Sequence, residues 1–259
     1  MKMIHLILVS AVTGLCLSVN AAPLAVTESP SAGNLILFEF DGASAAPIFV
    51  ETNADEAVLR AANDLTEDFE RVTGSKAEVE KQISSNNKVQ IIIGTLGQSE
   101  MIDKLAAEGK LDTKGINGQW ESYVLQIVTN PLPNIDRALV IAGSDRRGTI
   151  YGIYQLSAMI GVSPWYWWAD VPVAKKNVVA LTGNIIKQGP PGVKYRGIFI
   201  NDEDWGLNPW AKKTFDPQFG NIGPKTYAKV FELMLRLRLN YLWPAMHPCS
   251  REFGSVPEN

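Results

Sequence analysis

Cysteine and histidine are almost missing from this chain: its 259 residues hold two of each, Cys16 and Cys249, His5 and His247. One of each lies in residues 1–21, where Lys2 precedes an apolar run from Ile4 to Val19 and Val19-Asn20-Ala21 suits signal peptidase. This stretch reads as a removable export signal. It is shorter than the ~20 apolar residues of a membrane span, so no span is expected in the mature chain. Leu15 before Cys16 also fits a lipid-attachment box poorly, because such a box takes a small residue there. A mature chain with only Cys249 and His247 has no disulfide framework and no His/Cys zinc site, and no cofactor is expected. Lysine and arginine blocks are missing too. With 24 basic and 27 acidic residues the formal charge is −3, and loss of Lys2 makes it more negative. Phosphate binding needs a concentrated basic face, so nucleic acid is excluded as partner and a neutral or acidic polymer fits better. No G-x-G-x-x-G or G-x-S-x-G occurs. Gly143 to Thr149 has the glycine spacing of a P-loop, but Thr149 stands where the lysine is required. Gly143-Ser144-Asp145 reads instead as a strand end and helix cap.

What is present alternates strands with helices. Residues 22–34, Ser/Pro/Gly-rich from Thr27 onward, read as a linker. Strands are predicted at Leu35–Phe40, Ile48–Val50, Val89–Ile93, Tyr123–Val128 and Ala138–Ile141. Helices are predicted after an Asn53/Glu56 capping box up to Gly74, from Ser99 to about Glu108, and from Asp145 to about Ile160. Helices between strands indicate an α/β layer domain. Gln188-Gly189-Pro190-Pro191-Gly192 forbids helix or central strand and marks a hinge. Beyond it, Tyr195–Ile200 reads as a fully buried parallel strand. A helix from Pro224 or Lys225 follows, with Tyr227, Val230, Phe231, Met234 and Leu237 as its apolar stripe and Lys225, Lys229, Glu232 and Arg236 as its polar one. Leu239–Trp243 completes a βαβ unit. That segment is far shorter than the roughly 250 residues of a (β/α)8 barrel, so an N-terminal piece of such a barrel is expected.

Barrels of this kind keep their chemistry at the C-terminal ends of their strands. There the chain reads Asp202, Glu203, Asp204, Trp205, with Trp210 close behind. Glycoside cleavage needs two carboxyl groups with separated pKa values, and adjacent residues cannot both flank one sugar ring. At most one of the three acids therefore acts directly, and the others hold sugar hydroxyls or orient side chains. A solvated acidic loop is the plain alternative. His247, just after the second strand, either donates to a sugar hydroxyl or carboxylate or serves as a cap. Trp243 either stacks on a sugar or fills the barrel layer. Trp165, Tyr166, Trp167 and Trp168 form either a sugar platform or a packed domain interface, and their place between helix and hinge favours the interface.

The stretches 143–173, 195–211 and 225–248 resemble glycoside hydrolase family 115, xylan α-1,2-glucuronidases, and the resemblance runs the length of the mature chain. It implies an N-terminal α/β layer domain, like the second domain of hexosaminidase-type enzymes, over residues 35–188, and the start of a catalytic (β/α)8 TIM barrel over 189–259. It implies removal of glucuronic acid or its 4-O-methyl form from glucuronoxylan or xylo-oligosaccharides with inversion, and no metal. Inversion requires carboxyl groups roughly 6.5–9.5 Å apart. Residue by residue, it puts Asp202 and Glu203 as catalytic candidates and Asp204, Trp205, Trp243 and His247 around the substrate. The family's other acids and the arginine for the uronate lie beyond Asn259, so the 259 residues are expected to be inactive alone. A periplasmic or extracellular location and a homodimer of the full-length enzyme complete the expectation. The alternatives are a non-catalytic carbohydrate-binding or assembly module, and another uronidase or hexosaminidase-type glycosidase.

Overall fold

The structure, a computed structural model, describes residues 22–40, 44–83, 88–201, 205–246 and 252–256. In chain order, β1 (Ala25–Thr27), β2 (Leu35–Glu39) and β3 (Ile48–Val50) lead into helix α1 (Glu56–Thr73). Next come β4 (Val79–Glu80), β5 (Val89–Thr95), α2 (Glu100–Ala107), β6 (Tyr123–Leu132), β7 (Ile135–Gly143), α3 (Arg146–Ile160), β8 (Val178–Thr182) and β9 (Ile185–Gln188). They build a six-stranded sheet, ordered β4-β3-β5-β7-β6-β9, and a three-stranded sheet, ordered β1-β8-β2. Strands β3, β4, β5 and β7 run parallel, β6 is antiparallel to β7, and β9, antiparallel to β6, runs with the parallel set again.

The apolar run of β5 is explained by burial on both faces. Ile91 and Ile93 pack with Leu65 and Phe69 of α1 and Ile153 of α3. Ile92 packs on the other side with Ile102 and Leu105 of α2. Each such side chain contributes about 1.5–3 kcal/mol on full burial, and a strand between two helix layers has no face to leave polar. The α/β class follows, as the alternation of elements implied.

Glycines set the closest approaches. A Cβ on Gly143 would lie 2.0 Å from the Thr149 amide nitrogen, and one on Gly148 2.2 Å from the Ser122 carbonyl. Asp145 caps α3 by accepting from the Gly148 amide at 2.7 Å, so the P-loop-like spacing answers to packing and capping. Helix α1 ends as predicted at Gly74, whose φ is 82°. Its start is corrected: Asp55, not Asn53, is the cap, accepting from the Ala57 amide at 2.8 Å. Residues 51–54 are taken up by a turn in which the Ala54 amide donates to the Glu51 carbonyl at 3.1 Å, which delays the helix by two positions.

The 22–34 segment, expected to be a linker, supplies β1, whose Ala25 pairs with Thr182. Leu24 beside it is buried in the main core. The turn-rich composition begins only at Thr27, and Ala25–Thr27 lacks the apolar run that marks the equally short β3. Strands β8 and β9 are likewise additions to the predicted set.

After β9 come β10 (Gly197–Phe199), a short helix α4 (Leu207–Trp210) running into a single π turn at Ala211–Phe215, α5 (Pro224–Arg236) and β11 (Tyr241–Trp243). The strands pair in parallel, Gly197 with Tyr241 through Phe199 with Trp243, which is the expected βαβ unit. One expectation fails: β10 is half-exposed, with Phe199 60% exposed. Ile200 and Leu242 pack on Ala211, Ile222, Tyr227 and Ala245, so a layer covers one face, while the aromatic face of Tyr195, Phe199, Tyr241 and Trp243 is open among the described residues.

The stripe assignment of α5 is corrected as well. Glu232 and Arg236 are buried, and Phe231 is exposed, because α5 faces α1 and α3 with charges that find partners there. Its cap is also remote in sequence: Gly223 has no capping side chain, and the buried Asp216 accepts from the Thr226 amide at 2.8 Å and hydroxyl at 2.6 Å. A Cβ on Gly223 would meet Asp216 Cγ at 2.8 Å, so glycine lets the carboxylate in.

Candidate functional site

Parallel pairing makes β10 and β11 leave the sheet at the same end. The Ile200 amide still donates to the Trp243 carbonyl at 2.9 Å, one position past the named pairing. Of the residues expected there, Asp202, Glu203, Asp204 and His247 lie outside the described residues. Trp205 and Trp243 are described. Trp205 is 88% exposed, and Trp243 meets Phe199 edge-on at 5.5 Å on the open face. An exposed indole on that face is free to lie against a sugar ring.

The opposite end of the same strands is tied to the first domain through Glu121, which is buried with a left-handed φ of 48°. Its Oε2 accepts from Arg196 Nη2 at 2.6 Å, and its Oε1 accepts from Asn240 Nδ2 at 2.8 Å and pairs with Arg147 Nε at 2.6 Å. Arg196 also donates to the Arg238 carbonyl from Nε at 2.9 Å and Nη2 at 2.7 Å. Asn240 Oδ1 accepts from the Arg196 amide at 3.0 Å. These groups fix where both strands begin. Sequence reasoning passed over them. The only signal was a polar residue immediately before each apolar strand, Arg196 and Asn240.

A buried ionic layer joins α5 to α1. Arg236 donates to Asp68 through Nη1 at 2.8 Å and Nη2 at 3.1 Å, and to Glu232 through Nε at 3.0 Å. Arg71 reaches Asp68 at 2.9 Å. Burial works against the Glu232 carboxylate, yet the hydrogen bond from Lys229 and the charges of Arg236 and Lys229 overcome it and hold Glu232 below its usual range. Asp64 is the reverse: burial raises it, against the hydrogen bond from the Tyr154 hydroxyl. Tyr154 is itself raised well above its ordinary value, chiefly by burial.

The 165–168 aromatics sit on this layer. The Tyr166 hydroxyl donates to Glu232 at 2.8 Å and Trp168 Nε1 donates to the Lys229 carbonyl at 3.1 Å. Trp167 lies 5.9 Å from Trp210 and 5.1 Å from Phe215. The rings therefore pack against the second segment, as their place before the hinge suggested, but they do not fill the space. A cavity of about 650 Å³ remains, walled by Tyr166, Trp167, Trp168 and Asp170 on one side and by Leu207 and Trp210 on the other. Among the described residues, no group of three or more His, Cys, Asp or Glu could hold a metal ion. No helix among them is long and apolar enough to cross a membrane.

The sequence profile of Glycosyl hydrolase family 115 matches residues 188–259, the segment that carries β10 and β11. That of the Glycosyl hydrolase family 67 N-terminus matches residues 42–156. Among solved structures, a family 115 4-O-methyl-alpha-glucuronidase with specificity for decorated arabinogalactans is 38% identical, over 87% of this chain and 28% of its own, with a TM-score of 0.75. This chain belongs to glycosyl hydrolase family 115. It spans 28% of the length of that solved relative. Two remoter likenesses are a mutant Streptomyces plicatus beta-hexosaminidase with bound product (12% identity, 83% of this chain and 32% of that one, TM-score 0.46) and Flavobacterium johnsoniae chitobiase (14%, 86% and 26%, TM-score 0.44). No curated protein matches the chain. For a family 115 member, the two ends of the β10–β11 pair divide cleanly into an end fastened to the α/β domain and an end from which the acidic and histidine-bearing segments depart.

Proposed function

We propose that this family 115 chain is the N-terminal part of an exported glycosidase that removes α-1,2-linked glucuronic acid or its 4-O-methyl form from xylan with inversion. Residues 189–259 begin its (β/α)8 barrel. The observation that carries the reading is the parallel β10–β11 pair, whose shared end leads into Asp202-Glu203-Asp204 on one strand and His247 on the other. In this reading Asp202 or Glu203 supplies one of the two carboxyl groups an inverting glycosidase needs. The remaining acids, Trp205, Trp243 and His247 contact the sugar. The second carboxyl group lies in later barrel strands, so the 259 residues alone release no uronic acid, and the full enzyme works as a homodimer outside the cytoplasm.

A second reading concerns substrate only. The solved relative acts on decorated arabinogalactans, so a galactan backbone stands beside xylan. Release of free 4-O-methylglucuronic acid from glucuronoxylan and from decorated arabinogalactan, by the product of the full open reading frame beside the 259-residue chain, separates these. Release from xylan by the long form alone is expected. Release only from arabinogalactan moves the substrate, release from neither overturns the glycosidase reading, and full activity in both Asp202→Ala and Glu203→Ala overturns the residue assignment.

A further inference from the structure

We propose that the cavity between Trp167, Trp168 and Trp210 is a non-catalytic binding site for a neutral pyranose stretch of the polysaccharide backbone. The proposal rests on the glycosidase reading for the class of glycan. At about 650 Å³ the cavity falls inside the range of roughly 300–1,000 Å³ typical of ligand sites. Its walls are indole and phenol rings, which bury the C–H faces of a sugar at little entropic cost. Those rings are already fixed: Trp168 by its bond to the Lys229 carbonyl, and Trp210 by stacking on Phe215 at 5.4 Å and 22°. Preorganised walls lose little on binding.

The charge of the lining selects the ligand. Asp170 is its carboxylate, an exposed acceptor for sugar hydroxyls, and no lysine or arginine lines the cavity among the described residues. The ammonium of Lys229 lies 5.7 Å from the Trp167 ring but is held by Glu232 at 2.8 Å. Arg71 and Arg236 stand 4.7 and 4.9 Å from the Tyr166 ring but are held by Asp68 and Glu232, so a uronate would still meet the charge of Asp170, whereas a neutral backbone sugar would carry none to be repelled. Leu207 and Trp210 lie on the connection that follows β10, so the cavity is built jointly by the 165–170 segment and the segment beyond the hinge.

The test is titration of the 259-residue chain, followed by calorimetry and tryptophan fluorescence, with xylohexaose, a β-1,3-linked galactohexaose and glucuronic acid. A neutral oligosaccharide is expected to bind and quench, and glucuronic acid is not. Asp170→Asn, which keeps a residue tolerant of the φ of 49° there, should weaken binding on the order of tenfold with an unchanged circular dichroism spectrum. Trp210→Ala should abolish the quench. The proposal is overturned if neither neutral oligosaccharide binds, if both variants bind like the parent, or if glucuronic acid binds equally well. Uronic acid release is a separate readout: release without neutral binding overturns this site alone, and variant-sensitive neutral binding without release leaves the site standing while sinking the glycosidase reading.

Discussion

Replacing Arg236 by methionine tests whether the buried ionic layer holds the two segments together. Arg236 and Asp68 side chains are 3% and 0% exposed, and the two bonds between them link α5 to α1 across 168 positions of sequence. Removing the guanidinium leaves Asp68 buried with Arg71 as its remaining described cation, and leaves Glu232 with Lys229. A buried pair broken on one side typically costs about 3–5 kcal/mol. Arg71 stays in place and offsets part of this, which puts the expected loss near the lower figure. Methionine keeps most of the side-chain volume, so little of the loss comes from a cavity. Asp68→Leu combined with Arg236→Met removes both charges and should recover most of the loss, because a hydrophobic replacement of a whole buried pair is often near neutral. Urea denaturation followed by far-ultraviolet circular dichroism and tryptophan emission gives the free energies, and the double-mutant cycle isolates the coupling. If Arg236→Met costs less than about 1 kcal/mol, the range of exposed pairs, or if the double variant is no better than the single one, the layer is not what fastens α5.

Three further outcomes follow from described contacts. Glu232 is held below its ordinary pKa, so its contribution is present above the usual carboxylate range and is lost as pH falls through its folded value. The urea midpoint gap between parent and Glu232→Gln should therefore be widest near neutrality and close toward acid; a gap that does not change with pH refutes the linkage. Asp216→Ala removes both bonds to Thr226 and should cost about 1–3 kcal/mol, read as a fall in thermal midpoint. Glu121→Ala strips Arg196, Asn240 and Arg147 of their shared acceptor, so tryptic cleavage at Lys194 should accelerate severalfold over the parent; equal cleavage rates would show that Glu121 does not secure the strand starts.

The elements that sequence patterns disclosed are those with one dominant period. Helix α1 carries Val58, Ala62, Leu65, Phe69 and Val72 on one face and ends at a glycine, and β5 is apolar throughout because both faces are covered. Helix α5 misled the pattern: Glu232 and Arg236 follow the polar spacing of a solvated face, and only the distant Asp68 reveals that the face is inside. Glu121 could not have been found by period at all, since its partners Arg147, Arg196 and Asn240 come from three separate places in the sequence. At the candidate site, residue types and strand order were legible and the parallel pairing agrees with them. The aromatic cavity was not, because whether four neighbouring rings fill a space or leave one depends on Trp210 and Phe215, which meet them only in three dimensions.

The carboxylate of Glu121 takes on another meaning when the chain is followed in the order of its synthesis. Arg147 already occupies one of its oxygens using residues of the α/β domain alone, while the other oxygen becomes engaged only when Arg196 emerges. A finished mooring thus waits for β10, and Asn240 brings β11 to the same mooring. The α/β layer then acts as a jig: it sets where β10 and β11 begin, so that two strands distant in sequence need not find their parallel register unaided.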